Sequence, residues 1–256
     1  MKKRGMLVIF FCSFLFVGCS SDTVTSMGNQ HHTVLLPQKT SIPDTFIKRD
    51  MKVVTLGDSL TEGVGDTSNQ GGYTSIVREH LENQKGIVNV EINNFGVKGY
   101  KTEDLLKRLE NEIAVDEISQ ADTIIVTIGA NDLMSVVREN ILSLSFEIFE
   151  KELVQYQDRL EKIFDYITTY NKNADVFLVG IYNPFISLVE ITPEVEHIIE
   201  NWNNGSRTII GQYDNITFIP VYDLFQNQEE SLLFKDNFHP NTKGYELIGE
   251  RIIDNM

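Results

Sequence analysis

Cysteine, proline, tryptophan and positive charge are all scarce in this chain. Its 256 residues include 2 cysteines, 6 prolines and 1 tryptophan, and 22 basic residues stand against 37 acidic ones, a formal charge of −15. Both cysteines, Cys12 and Cys19, lie in the opening segment. Beyond it no disulfide can form, and the core alone must hold the fold. A field this negative repels phosphate backbones, which argues against general nucleic-acid binding, and it opposes adsorption to anionic lipid headgroups. Long apolar runs are missing too: the uncharged stretch 5–18 is too short to span a bilayer comfortably. What remains is ordinary for a globular protein, 41% apolar, 23% charged and 10% aromatic. Disorder, collagen and coiled coil are disfavoured, and the length suits one domain with a full core or two small ones.

The opening segment has its own logic. Lys2, Lys3 and Arg4 precede the uncharged stretch, which has the length of the h-region of an export signal. It closes on Phe16-Val17-Gly18-Cys19, which resembles the lipobox of bacterial lipoproteins, with Phe16 where that pattern usually has leucine. The resemblance implies a signal peptide over 1–18 and a lipidated Cys19 that anchors the protein to the extracytoplasmic face of the cell membrane. An ordinary signal peptide or an uncleaved anchor is the alternative. Residues 19–49 are polar and aperiodic and read as the lipidated cysteine and a flexible tether. His31 and His32 within it read as a solvated pair rather than a metal site.

From residue 50 to 256 the texture is that of one folded domain. Short apolar, β-branched runs at 53–56, 88–95, 123–128, 176–179 and 216–221 read as strands buried on both faces. Amphipathic stretches at 73–81, 103–113, 146–167, 194–210 and 243–253 read as helices, with Asn241 capping the last. The alternation predicts an α/β domain with a central parallel sheet of about five strands.

In such a sheet, ligands gather at the carboxyl ends of the strands, so the residues just past each strand carry the most information. The first strand leads into Gly57-Asp58-Ser59-Leu60, which sets a serine where a helix begins, near free backbone N–H groups that favour an oxyanion. Ser59 can equally be a simple helix cap, and the triplet is not the Gly-x-Ser-x-Gly elbow. Gly63-Val64-Gly65 lacks the Gly-Lys-Ser/Thr ending of a phosphate loop. The second strand ends Asn94-Phe95-Gly96-Val97-Lys98-Gly99, where a glycine N–H is unobstructed, and the third Gly129-Ala130-Asn131-Asp132, where an amide can donate; both also suit plain turns. Asp236-Asn237-Phe238-His239-Pro240 spaces a carboxylate and an imidazole so that the first can fix the second. His80 and His197 fall on helices.

Taken together, these four blocks resemble the signature of the SGNH, or GDSL, hydrolases, and in particular the lipase/acylhydrolase-type bacterial lipoproteins, over residues 52–256. The resemblance implies a three-layer, flavodoxin-like α/β/α sandwich and a serine esterase that needs no metal or cofactor. Ser59 would be the nucleophile, His239 the base and Asp236 its orienting acid. The oxyanion hole would comprise the N–H groups of Ser59 and Gly96 and the Asn131 amide. The partner is then a small-molecule, lipid or glycan ester, with a lipid anchor on Cys19 reaching the membrane. Deacetylation of a cell-wall or extracellular polysaccharide, or a non-catalytic binding lipoprotein on the same fold, are the rival readings. Apolar side chains at 133–137 and 182–189 are expected to border the site, either as an acyl-chain groove or as core cover.

Overall fold

The computed structural model describes residues 48–140, 145–183, 193–226 and 229–256. The chain divides after Asp44, and every described residue lies in the unit Thr45–Met256. Within it, strands β1 (Arg49–Gly57), β2 (Ile87–Gly96), β3 (Thr123–Thr127), β4 (Asp175–Val179) and β5 (Ile216–Ile219) pair in parallel in the order β2-β1-β3-β4-β5. This is the doubly wound, flavodoxin-like order. The chain steps one way from β1 to β2 and the other way to β3, so the topological switch point lies between the carboxyl ends of β1 and β3.

Alternation within each strand separates two cores. Val54, Leu56, Ile124, Val126, Val176 and Leu178 face one side. There they are covered by α3 (Thr102–Leu109), α4 (Glu112–Gln120), α5 (Ala130–Asn140), α6 (Phe146–Tyr170) and α7 (Pro193–Ile210). Val53, Ile125, Phe177, Val179 and Ile219 face the other. That side is covered by α1 (Ser59–Glu62), α2 (Tyr73–Glu82), α8 (Tyr222–Phe225), α9 (Glu229–Leu232) and α10 (Thr242–Ile253). Because successive side chains on a strand point to opposite faces, unbroken apolar runs are what a sheet buried on both sides requires. Among the described residues no helix is long and apolar enough to cross a membrane.

Three expectations need correction. The stretch 103–113 is not one helix: α3 ends at Leu109, and Asn111, whose side chain accepts from Ile113 N at 2.9 Å, caps a new helix, α4. Asparagine favours that capping role over a helix interior. The apolar residues after β3 lie on a helix, α5, where no amphipathic stretch was read. Leu133, Met134, Val136 and Val137 are buried in the core, as the core-cover reading has it. Finally, β5 stops at Ile219, because Pro220 has no N–H to extend the ladder. Of the second apolar segment, Tyr182 is buried and 184–189 lies outside the described residues.

Candidate active site

The turn that carries Ser59 is set by a glycine that nothing else could replace. β1 ends at Gly57 with φ +139°, and a Cβ there would lie 1.9 Å from the Thr127 carbonyl oxygen of β3. That carbonyl accepts Asp58 N–H at 3.0 Å. The Asp58 carboxylate caps α1 by accepting from Leu60 N at 3.0 Å, and it accepts from Thr127 Oγ1 at 2.9 Å. Ser59 therefore begins α1 in a fixed place, buried, with a backbone N–H that donates to no acceptor among the described residues.

Behind the serine runs a buried chain of hydroxyls: Tyr73 OH to Thr61 Oγ1 at 2.7 Å, Thr61 Oγ1 to Thr127 Oγ1 at 2.8 Å, and Thr127 to Asp58. Burial pushes the Asp58 carboxyl up from 3.8 to about 7, and the nearby Asp132 adds to the rise against the pull of Leu60 N–H and Thr127. Folding thus disfavours its ionised form. Its contribution to stability is intact below about pH 4, declines as pH rises from about 4 to about 7, and stays lost above that. Asp58→Asn keeps an oxygen for both donors and carries no charge. It is expected to be more stable than the wild type at pH 8, by up to about 4 kcal/mol, and equal to it near pH 4. Urea melts at the two pH values measure this, and an equal difference at both would refute it.

The imidazole comes from the turn before α10. Asp236 Oδ1 accepts the N–H groups of Phe238 at 3.1 Å and His239 at 3.0 Å, an Asx turn completed by Asn237 at φ +51°. The other oxygen, Oδ2, bonds His239 Nδ1 at 2.6 Å, and His239 Nε2 lies 2.9 Å from Ser59 Oγ. Burial is the largest influence on Asp236 and raises its pKa. The His239 side chain and the two backbone N–H groups together outweigh it and hold the carboxyl below its ordinary value. The His239 side chain is 7% exposed and that of Asp236 40%, so the carboxylate sits at the rim and the ring inside. Tyr182, after β4, donates its hydroxyl to Phe238 O at 2.5 Å and braces the turn.

Asn131, in the first turn of α5, lines a narrow cleft together with Ser59, Leu60, Ile128, Ile181, Tyr182 and Phe238. Its amide spends one N–H on Tyr100 O at 3.0 Å and has a second to offer. The helix that carries it is tied down by Asp132. This buried carboxylate accepts from Thr102 N and Oγ1 and pairs with Arg159 Nη2 at 3.1 Å. Gly96 is placed differently. Its N–H donates to Asn94 Oδ1 at 2.8 Å, and a Cβ on it would collide with the backbone of Thr61 and Glu62. Its bareness lets β2 pack on α1. Three residues on, Gly99 has φ +86° with nothing within 4 Å of a Cβ, and its N–H donates to no acceptor among the described residues.

Of the residues singled out in the sequence, then, Ser59, His239 and Asp236 form one hydrogen-bonded relay, and Asn131 shares the cleft with Ser59. The Gly96 N–H is already engaged, and Cys19 lies outside the described residues. Tyr182 borders the cleft as expected, but its bond to the Phe238 carbonyl, the buried Asp58 chain and the Asp132–Arg159 brace were not anticipated. Only Asp58 had a local signal, as an aspartate one residue before a helix start.

Residues 55–247 match the GDSL-like lipase/acylhydrolase family. The uncharacterized protein YpmR of Bacillus subtilis is 32% identical over 254 residues, covering 98% of this chain and 95% of that protein. The spore germination lipase LipC of Bacillus licheniformis is 27% identical, over 79% of this chain and 94% of its own. In fold, the chain resembles the lipase Lip_vut3 from a goat rumen metagenome, with a TM-score of 0.72 at 24% identity, covering 80% of this chain and 96% of that one. With the family match spanning most of the described unit, the chain belongs to the GDSL-like lipase/acylhydrolase family and is an ester hydrolase of that family.

Proposed function

We propose that this protein hydrolyses carboxylic esters through a covalent acyl-enzyme on Ser59. The observation that carries the reading is the relay Ser59 Oγ–His239 Nε2 at 2.9 Å and His239 Nδ1–Asp236 Oδ2 at 2.6 Å. Ser59 Oγ attacks the ester carbonyl as His239 Nε2 takes its proton, and the Asp236 carboxylate stabilises the imidazolium. The tetrahedral oxyanion collapses and expels the alcohol, which leaves with the proton from Nε2. Water, deprotonated by the same nitrogen, then attacks the acyl-serine, and the carboxylic acid departs as Ser59 regains its proton.

The oxyanion is held by the Ser59 N–H and the second N–H of the Asn131 amide. With the Gly96 N–H engaged on Asn94, the third donor in this reading is Gly99. Its N–H is free among the described residues, and the open space beside its Cα lets a substrate approach. Gly99 also precedes Tyr100, whose carbonyl accepts from Asn131. Mixing enzyme with p-nitrophenyl acetate is expected to release a burst of p-nitrophenol equal to the enzyme concentration when deacylation is slower than acylation. Absence of any turnover above background on acetyl, butyryl or palmitoyl esters would count against the reading.

The same proposal places the enzyme outside the cytoplasm, tethered by a lipid on Cys19. Its support is the sequence of basic residues, uncharged stretch and Phe16-Val17-Gly18-Cys19. A buried acyl chain contributes roughly 0.8 kcal/mol per CH₂, which can hold an acidic protein at a surface its charge does not favour. In cells, Cys19→Ala is expected to move the protein out of the membrane fraction. A membrane-bound Cys19→Ala protein would contradict the tether.

A further inference from the structure

The loop joining α1 to α2 carries a carboxylate that the reaction does not use. Asp66 is nearly buried and is crowded with donors. Its Oδ1 accepts from Ser68 N at 3.0 Å, Ser68 Oγ at 2.7 Å and Thr242 Oγ1 at 2.8 Å. Its Oδ2 accepts from Ser68 Oγ at 2.8 Å, Gly72 N at 3.0 Å and Gln70 N at 3.2 Å. Burial, the largest single influence, raises its pKa. The Ser68 hydroxyl, Gly72 N–H and Thr242 hydroxyl more than offset it and hold the carboxyl at about 2, so Asp66 is a fixed anion at any working pH.

All but one of these donors belong to the loop itself. The exception, Thr242, opens α10 three residues after His239, and its Oγ1 also accepts from Thr67 N at 3.2 Å. Two further contacts run the same way. A Cβ on Gly65 would lie 2.4 Å from Pro240 O and 3.1 Å from His239 Cβ, and Tyr245 OH of α10 donates to Val64 O at 2.7 Å. The loop therefore continues directly from the helix bearing Ser59 and rests against the Pro240 carbonyl and the Cβ of His239.

The geometry points to Asp66 and Thr242 as a clamp whose two side chains act as positioning residues, fixing the separation between Ser59 Oγ and His239 Nε2. The inference rests on the serine-esterase reading above. Neither side chain lines the cleft, so both act through the histidine. Proton transfer needs the two heavy atoms within about 2.6–3.2 Å. These atoms belong to residues 180 positions apart, on separate loops. Local donors hold the Asp66 carboxylate rigid, and the Thr242 hydroxyl carries that rigidity across to the α10 turn.

Thr242→Val removes the crossing donor with little change in shape, Thr242→Ala removes it with more, and Thr242→Ser retains it. In both variants without the hydroxyl, kcat for p-nitrophenyl acetate per folded molecule is expected to fall by about 10- to 100-fold, as a displacement of up to an ångström allows. KM should stay within about twofold, and Thr242→Ser should remain within about twofold of the wild type in both constants. The ¹⁵N resonances of the His239 imidazole, read without turnover, should move in Thr242→Val and Thr242→Ala and return in Thr242→Ser. An active wild type with unchanged kcat and His239 resonances in Thr242→Val would overturn the clamp. So would a Thr242→Ser variant as impaired as Thr242→Val. A wild type inert on the ester would instead overturn the esterase reading, and the resonances would still decide the clamp.

Discussion

Ser59→Ala is expected to lower kcat on p-nitrophenyl acetate by about 10⁶, with the fold intact. The fold should survive because Ser59 Oγ bonds only His239 Nε2 among the described residues, while α1 is capped by Asp58 and closed by Gly63 in the left-handed region. His239→Ala should cost about as much as Ser59→Ala. The double variant should be hardly worse than either, because nucleophile and base act as a unit. Asn131→Ala is a milder case. It removes one oxyanion donor, so kcat should drop by about 10² to 10³. Initial rates above background hydrolysis, on protein checked by circular dichroism, give all four values. Equal losses in Asn131→Ala and Ser59→Ala would mean that the serine is not the reacting atom.

The largest expected effect on stability lies two residues earlier. Gly57→Ala places a methyl group 1.9 Å from Thr127 O and 2.8 Å from Thr127 Oγ1, at a φ of +139°. The carbonyl cannot retreat, because it accepts Asp58 N–H and because β1 and β3 are in register through the fully buried pair Leu56 and Val126. A loss of more than about 4 kcal/mol is expected, in the exceptional range for one substitution. Gly99→Ala offers the contrast: a left-handed φ of +86° but open space around the new atom, so a loss of only about 1–2 kcal/mol. Urea unfolding of both variants tests the pair. A Gly57→Ala protein as stable as Gly99→Ala would show that the β1 turn is not as tightly closed as described.

The sequence was informative where one physical cause acts alone. The five strands were legible because a sheet covered on both faces demands unbroken apolar runs, and the long helix α6 because a single stripe from Phe149 to Ile167 must face the core. Ser59, Asn131 and His239 were legible because each comes just after a strand or just before a helix at the edge where ligands bind. The Asp236–His239 pairing was readable from spacing alone, and the Asx turn adds the reason that it holds. Helix α5 was missed because Leu133, Met134, Val136 and Val137 form a short apolar run, which has no clear period. The engagement of the Gly96 N–H by Asn94 was not legible either. It depends on where the Asn94 side chain goes and on how closely β2 approaches α1, and both are tertiary facts. Asp66 and Thr242 are 176 residues apart, and no local pattern links them. Asp66-Thr67-Ser68 does carry the mark of an Asx turn, which would have pointed to an ordered loop where only a failed phosphate motif was seen.

The most direct test of the central claim is the identity of the residue that takes up a covalent label. Treated with a fluorophosphonate, the wild-type protein is expected to gain one adduct per chain, mapped by peptide mass spectrometry to Ser59, while Ser59→Ala gains none. An adduct on another residue, or an unlabelled wild type that still hydrolyses p-nitrophenyl acetate, would contradict the assignment of Ser59 as the nucleophile.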